Sequence, residues 1–221
     1  MTLVLALDTS SRTYSVAVGS ADRPASTRSS RRDDVAFAGL GGLAAQALSE
    51  VGAAFGDIAA IGVDIGPGGL SSIRAAVAYA NGLAFSLGVP VLPVNSLELM
   101  ATAARHATRD PVLCLKRGQA GNVYAGLFVN GENTELRHGP PASVVPAIAG
   151  GLDRIVLAGA ATDEAAALLP GVAVVDTGIV DADVTVLYRL TRAALANRER
   201  LVTSAVPLNE ASRIFHNSTA R

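Results

Sequence analysis

The stretch Gly66-Pro67-Gly68-Gly69-Leu70-Ser71-Ser72-Ile73-Arg74 joins two segments with different periodicities. Residues 60–65 before it are apolar and partly β-branched, which is typical of a buried strand. Residues 75–85 after it are rich in alanine and indicate a helix. A strand, a glycine-rich turn and a helix N-terminus leave the first helix amides free, and these amides favour anions. The turn is equally explained by a need for positive φ, with Ser71 or Ser72 capping the helix.

A second informative segment opens the chain. Residues 3–8 form a continuous apolar run, and residues 13–19 alternate apolar side chains, so the sequence predicts two strands. Asp8-Thr9-Ser10 lies between them. Asp and Thr are common turn residues, so this triplet alone does not indicate a binding site.

Together, these stretches resemble the TsaB (YeaZ) family, whose usual pattern opens with Ile-Asp-Thr-Ser and continues with Gly-Pro-Gly-Ser-Phe-Thr-Gly-Leu-Arg. The chain has Leu7-Asp8-Thr9-Ser10 and the 66–74 stretch in the same order. It then has Ala80-Asn81-Gly82-Leu83-Ala84, Gly88-Val89-Pro90 and Ser96-Leu97-Glu98-Leu99-Met100-Ala101. The match covers the N-terminal half, whereas the C-terminal half agrees in length and pattern only.

The chain departs from the family pattern at four places. Residues 69–72 replace Ser-Phe-Thr-Gly, residues 32–34 replace His-Ser-Glu, and residues 117–120 replace Asp-Ala-Arg-Arg. The Tyr-Leu-Arg expected near the C-terminus is not recognisable, and residues 207–210 lie near that place. Residues at these positions could contact partner proteins. A homodimeric divergent paralogue that serves another partner is therefore an alternative.

The resemblance implies the fold of the actin, Hsp70 and sugar-kinase (ASKHA) superfamily. This is an α/β fold of two ribonuclease-H-like (actin-like ATPase) lobes, of which the second is reduced. The order of three strands followed by helix, strand, helix and strand agrees with it. We expect an N-terminal lobe over residues 1–97 and a reduced C-terminal lobe over residues 98–221. A partly mobile tail is expected from about residue 203, where Pro207 and polar residues follow.

The same resemblance implies a degenerate nucleotide site. In the superfamily the first hairpin carries a phosphate loop, which makes Asp8, Thr9 and Ser10 the candidate nucleotide-binding residues. No tightly bound cofactor is expected, and ATP or ADP at a partner interface stays open. A small nucleotide-binding or kinase-like enzyme is an alternative. However, the candidate second phosphate loop over residues 158–161 has only one glycine. The chain therefore has too few of the elements that a phosphoryl-transfer enzyme needs.

Two helices of the first lobe, predicted over residues 34–51 and 70–87, are rich in Ala and Gly and carry apolar positions on more than one face. Such helices are usually buried on two sides, against their own sheet and against either a partner or their own domain. In the family that the chain resembles, they form the dimer face with TsaD or with a second TsaB. The candidate interface residues are Gly66, Pro67, Gly68, Leu70, Ile73, Arg74, Val77, Ala80, Leu40 and Leu43.

Composition narrows the range of functions. The net charge is −1 and no basic run is present, so the electrostatic pattern of a protein that binds nucleic acid by itself is missing. No apolar stretch is long enough to span a bilayer, and we expect no signal peptide. The one cysteine, Cys114, fits a reducing cytoplasm and an apolar strand. We therefore expect a cytoplasmic protein without a membrane partner.

Histidine spacing argues against a metal site. The histidines are His106, His138 and His216, and no two lie three to five residues apart. Paired helical ligands therefore cannot form locally, and we expect neither a metal site nor a catalytic residue.

By resemblance, the chain is a non-catalytic scaffold or activating subunit of the complex that makes N6-threonylcarbamoyladenosine (t6A) in tRNA. It would dimerise with a TsaD-like catalytic subunit and work with a TsaE-like ATPase. It would contact tRNA only through the complex and form a homodimer in isolation. Catalytic activity of the chain alone is not expected.

Overall fold

The computed structural model describes residues 2–105, 109–208, 212, 216 and 217. The chain forms two compact units. Unit 1 comprises Met1–Asn95 and Asp183–Pro207, and unit 2 comprises Ser96–Ala182 and Leu208–Arg221. Within the described ranges, no helix combines the length and the apolar composition needed to cross a membrane.

Unit 1 contains a five-stranded mixed sheet and three α-helices, with the strands in the order β3-β2-β1-β4-β5. The strands β1 to β3 pair antiparallel, and β4 and β5 continue the sheet parallel to β1. The elements are β1 (Leu3–Asp8), β2 (Thr13–Gly19), β3 (Ser26–Arg31), α1 (Gly39–Glu50), β4 (Ile58–Asp64), α2 (Leu70–Leu87), β5 (Val91–Val94) and α6 (Val184–Asn197).

The two faces of this sheet are covered by different helices. Alternation along β1 directs Leu5 and Leu7 into the core that α1 and α2 close. Ala6 lies between them, pairs with Gly62 of β4 and belongs to the opposite face. There, a Cβ on Gly62 would lie 3.1 Å from the Thr191 Cβ of α6. Glycine at this position therefore lets α6 pack closely on the sheet.

Helix α6 is also anchored at the β2–β3 turn. The side chain of Tyr188 is fully buried, and its hydroxyl donates a 2.6 Å hydrogen bond to the Ala21 carbonyl. Burial raises the pKa of Tyr188. Arg192, one turn later, donates to the Ser20 carbonyl. These contacts place the late segment 183–207 in unit 1, whereas the sequence predicts that all of 98–221 forms the second lobe.

Unit 2 contains a six-stranded mixed sheet in the order β10-β9-β6-β7-β8-β11. Strands β6, β7 and β8 are antiparallel neighbours, while β9 and β10 run parallel to β6. The elements are α3 (Ser96–Ala104), β6 (Val112–Arg117), β7 (Val123–Val129), β8 (Glu132–Gly139), α4 (Pro141–Ala149), β9 (Arg154–Gly159), α5 (Thr162–Ala167), β10 (Ala173–Asp176) and β11 (His216–Asn217).

Helices cover both faces of the second sheet as well. Helix α3 packs over Val112 and Cys114, and α4 and α5 pack over Leu113 and Leu115. Burial raises the pKa of the Cys114 thiol, so this side chain is an inert part of the core.

Helix α1 begins at Gly39, five residues later than the sequence predicts. The Asp34 carboxylate explains the delay, since it accepts hydrogen bonds from the Arg31 amide and the Ser30 hydroxyl and so closes a local turn. Phe37 then packs edge-on against Tyr14. The side chains before the helix therefore support a loop.

The segment after α6 is fixed where the structure describes it. Asn81 of α2 donates to the Ala205 carbonyl at 3.0 Å and accepts from the Ala205 amide at 2.8 Å. Val202 also pairs with Val91. The tail predicted to be mobile from about residue 203 is thus anchored at Ala205, and positions 209–211, 213–215 and 218–221 lie outside the described residues.

Candidate functional site

The two stretches singled out in the sequence lie side by side in unit 1. Strands β1 and β4 are parallel neighbours, and Leu7 is in register with Val63. Asp8 and Asp64 therefore end adjacent strands at the same edge of the sheet. Asp64 was not among the predicted site residues, although an aspartate closing an apolar strand is visible in the sequence.

Both carboxylates are buried and shape the backbone that follows them. Asp8 is 5% exposed and Asp64 is 1% exposed. Asp8 accepts a 2.8 Å hydrogen bond from the Ser10 amide, and Asp64 accepts a 2.7 Å bond from the Gly66 amide. The same Asx turn thus follows each strand, and it reverses the chain at the sheet edge.

The first turn also supports the start of α2. The buried Thr9 hydroxyl donates a 3.0 Å hydrogen bond to the Ser72 carbonyl. A side chain on Gly68 would collide with the Ser10 carbonyl, so the two turns approach closely because residue 68 is glycine. The described hydrogen bond of Thr9 is therefore structural. A nucleotide-binding role for Asp8, Thr9 and Ser10 stays a prediction.

The glycine-rich turn has the expected positive φ but not the expected serine cap. Gly66 adopts φ 95°, which confirms the need for positive φ, and its peptide bond to Pro67 is cis. Helix α2 begins at Leu70, and its N-cap is Gly69 without a side-chain hydrogen bond. The prediction that Ser71 or Ser72 caps the helix is wrong, because both lie inside its first turn.

Removing the Thr9 hydroxyl tests this junction. We expect Thr9→Val to lower the free energy of unfolding by about 1–2 kcal/mol, because the hydroxyl is replaced by a methyl group of similar size and its buried bond is lost. Thr27→Val, on the exposed strand β3, is the matched control and should change stability by less than about 0.5 kcal/mol. Urea denaturation measures both. Equal stability of the two variants would contradict a structural role for Thr9.

Five candidate interface residues lie inside the core of unit 1. Ile73, Val77 and Ala80 of α2, and Leu40 and Leu43 of α1, are all buried against the sheet. They do not lie on the surface of this unit, and the prediction that they contact a partner is corrected here. These apolar side chains of α1 and α2 pack in the core of unit 1.

The remaining candidate residues differ in exposure. Gly66 and Pro67 are buried, Gly68 and Leu70 are half-buried, and Arg74 is exposed. Only the last three can therefore present a side chain or backbone to another molecule.

The surface of these helices is made by other side chains. The outer helical face comprises Ala45 of α1 and Arg74, Ala78, Gly82 and Phe85 of α2, all of which are exposed. Phe85 is 89% exposed, and no other aromatic side chain in the described ranges is as open to solvent. An exposed aromatic ring beside small residues is typical of a surface that a partner covers.

Charge is nearly absent from the two helices. Arg74 is the one charged residue of α2, and Glu50 is the one charged residue of α1. Glu50 is occupied, since it pairs with Arg28 and accepts from the Ser26 hydroxyl. Depletion of charge distinguishes the centre of a protein interface from ordinary surface. This signal could have been found in the sequence by counting charges over the two helices.

Tyr79 connects the two helices. A Cβ on Gly41 of α1 would lie 3.5 Å from the Tyr79 ring, so the ring packs against bare backbone. Burial raises the pKa of Tyr79. The contact fixes α1 beside α2, and the outer helical face is therefore presented by two supported helices.

Candidate metal ligands are dispersed. Among the residues that the structure describes, no group of three or more His, Cys, Asp or Glu side chains could hold a metal ion. The His138 ring stacks at a tilt on Tyr124, with 4.5 Å between ring centroids. His106 and the side chain of His216 lie outside the described part.

The sequence model of the family described as "TsaD: tRNA N6-adenosine threonylcarbamoyltransferase" matches residues 38–165, more than half of the chain. The chain belongs to this family. The matched region includes α1, the glycine-rich turn and α2, and it extends through most of unit 2.

Curated relatives of the chain match it over less than half of its length. The chain is 36% identical over 92 residues to the tRNA threonylcarbamoyladenosine biosynthesis protein TsaB of Bacillus subtilis. The aligned region covers 41% of the chain and 36% of TsaB. It is 37% identical over 89 residues to the tRNA N6-adenosine threonylcarbamoyltransferase of Aeropyrum pernix, covering 39% of the chain and 25% of that enzyme. The matches thus span about a third or less of these relatives.

Solved structures match over nearly the whole chain. A Pseudomonas aeruginosa protein described as similar to the peptidase YeaZ has a TM-score of 0.78 and 26% identity, covering 95% of this chain and 99% of its own. YeaZ from the same organism has a TM-score of 0.76 and 26% identity, covering 95% and 100%. The TsaB (YeaZ) resemblance is confirmed, and so is the predicted α/β fold of two units, each with its own sheet.

Proposed function

We propose that this chain is a non-catalytic scaffold or activating subunit of the t6A synthesis complex, and that it dimerises with a TsaD-like catalytic subunit. The observation that carries the proposal is the family match over residues 38–165 together with a YeaZ-like fold over 95% of the chain. TsaB and the threonylcarbamoyltransferases among its relatives are both named for this one tRNA modification.

The outer helical face supplies the surface for such a partner. Its small residues Ala78 and Gly82 allow a partner helix to approach closely, as in packed helix pairs. Phe85 gives it an exposed apolar anchor at one end. The same face serves a homodimer when the chain is isolated, because a two-fold arrangement places each copy of α2 against the other.

The charge of the chain supports indirect contact with tRNA. A net charge of −1 gives little attraction to phosphates, so tRNA is held by the catalytic subunit within the complex. We place this complex in the cytoplasm with a TsaE-like ATPase, and we place any ATP or ADP at the partner interface. Asp8, Thr9 and Ser10 stay the candidate nucleotide residues that the family resemblance implies, although their side chains are buried within the chain.

The proposal is tested by removing the chain from its native cell and measuring t6A in total tRNA by mass spectrometry. We expect t6A to fall by about tenfold or more, because the catalytic subunit loses the surface that holds it active. Re-expression of the chain should restore the modification. The matched control is an unrelated modified nucleoside in the same tRNA, which should be unchanged.

Two results would overturn the scaffold proposal. The first is a normal t6A content in cells without the chain, which would favour a divergent paralogue with another partner. The second is ATP turnover by the isolated chain that Asp8→Ala abolishes, because this would make the chain a kinase-like enzyme in its own right.

A further inference from the structure

A polar pocket of about 410 Å³ lies in unit 2, apart from the outer helical face. It is formed where the end of α3, the start of β6 and the β7–β8 hairpin meet. Val112 and Phe128, both nearly fully buried, make its apolar floor. The pocket is large enough for a small ligand, since pockets for such ligands start at about 300 Å³.

Two guanidinium groups line this pocket. Arg105 follows α3 and Arg109 precedes β6, and both are exposed. Among the described residues, neither side chain forms an ion pair or a hydrogen bond. Unpaired arginines around a concave surface are suited to an oxyanion, because each guanidinium offers several donors in a fixed plane.

The hairpin is built to admit Arg105. Asn130 and Gly131 form its turn with φ of 53° and 82°. A side chain at position 131 would occupy the space of the Arg105 guanidinium. Glycine is therefore required there both by its positive φ and by the arginine that lies against it. The Asn130 side chain adds an amide donor at the rim.

The one acidic side chain of the pocket is already neutralised. The Asp110 carboxylate accepts a 2.8 Å hydrogen bond from Nε of Arg154 and forms an ion pair with it. Asp110 therefore does not cancel the positive potential of Arg105 and Arg109.

We propose that this pocket binds a small phosphate-bearing ligand, whose phosphate oxygens are held by Arg105 and Arg109. Arginine pairs with phosphate bidentately, which gives both affinity and orientation. The concave, polar lining of the pocket accommodates a compact ligand better than it follows an extended RNA backbone. The site is independent of the proposed role in t6A synthesis.

The test is calorimetric titration of the full chain with inorganic pyrophosphate at about physiological ionic strength. We expect one site per chain. Arg105→Gln should raise Kd by about tenfold or more, because one of two charge-assisted contacts is lost. Arg109→Gln should act similarly. Arg23→Gln is the control, since Arg23 is an exposed arginine of unit 1, and it should change Kd by less than about twofold.

Competition with an anticodon stem-loop RNA separates the two sources of phosphate. Binding of pyrophosphate that the RNA does not displace supports a small ligand. The proposal is overturned if pyrophosphate does not bind, if Arg23→Gln weakens binding as much as Arg105→Gln, or if only the RNA binds in an Arg105-dependent way. Because Arg105 and Arg109 are exposed, thermal unfolding should confirm that both variants keep the native fold.

Discussion

Ala78→Glu is expected to lower the affinity of the chain for its TsaD-like partner by about a hundredfold or more. Ala78 lies at the centre of the outer helical face, between Arg74 and Gly82 on the exposed side of α2. In a complex, the new carboxylate would be removed from water without a designed partner, which costs about 3–5 kcal/mol. Co-purification followed by titration of the two subunits measures the loss.

The matched control is Ala196→Glu in α6. Ala196 is also an exposed helical alanine, and Arg192 precedes it by four residues just as Arg74 precedes Ala78. In both variants, the new carboxylate therefore lies one helical turn after an arginine. We expect Ala196→Glu to bind normally, and both proteins to unfold at nearly the same temperature as the parent. Normal binding by Ala78→Glu would place the interface elsewhere.

Gly62→Ala is expected to destabilise unit 1 by about 2–3 kcal/mol. The added methyl group enters the space in which Thr191 of α6 lies against β4, so either the helix or the strand must move. For a chain of this size, this corresponds to a fall in Tm of about 4–12 °C. Scanning calorimetry measures it, and Gly82→Ala, at an exposed position of α2, is the control, since a Cβ at position 82 meets nothing within 4 Å.

A second substitution tests the cause of this loss. Thr191→Ala removes the hydroxyl that overlaps the new methyl group, at the expense of the 2.7 Å bond from this hydroxyl to the Leu187 carbonyl. The double variant should therefore be more stable than the sum of the two single effects by about 1 kcal/mol or more. Strictly additive effects would show that Gly62 is not required for the approach of α6.

Local signals in the sequence predicted most elements well. Helix α2 runs over 70–87 as predicted because glycine precedes it and Gly88 ends it in a left-handed conformation. Strands β1 and β2 also match the predicted bounds, since continuous or alternating apolar runs define them. The start of α1 was predicted wrongly, because the competing turn at Asp34 depends on a side-chain hydrogen bond that periodicity does not detect.

Long-range placement could not be predicted from such signals. The pattern of α6 indicates a helix with one buried face, but it does not say which of two sheets that face covers. Its assignment to unit 1 depends on the shape match between Thr191 and Gly62 and on the Tyr188 bond to Ala21. Both are contacts between distant parts of the chain.

At the candidate site, too, local sequence signals predicted the helices but not which of their faces is buried. The sequence singled out the two helices, but apolar positions on several faces could not distinguish the side toward the sheet from the side toward solvent. Ile73, Val77 and Ala80 therefore proved to be core residues. The near absence of charge outside Arg74 and Glu50 is the better guide, because core packing does not require it.

The return of α6 to unit 1 gives the chain an order of events during synthesis. The first 95 residues leave the ribosome with one face of their sheet, including Ala6 and Gly62, still uncovered. That face is closed only after all of the first unit-2 segment, Ser96–Ala182, has been made. A nascent chain halted before Val184 therefore displays an unfinished apolar surface, which is a substrate for chaperones and a template for aggregation.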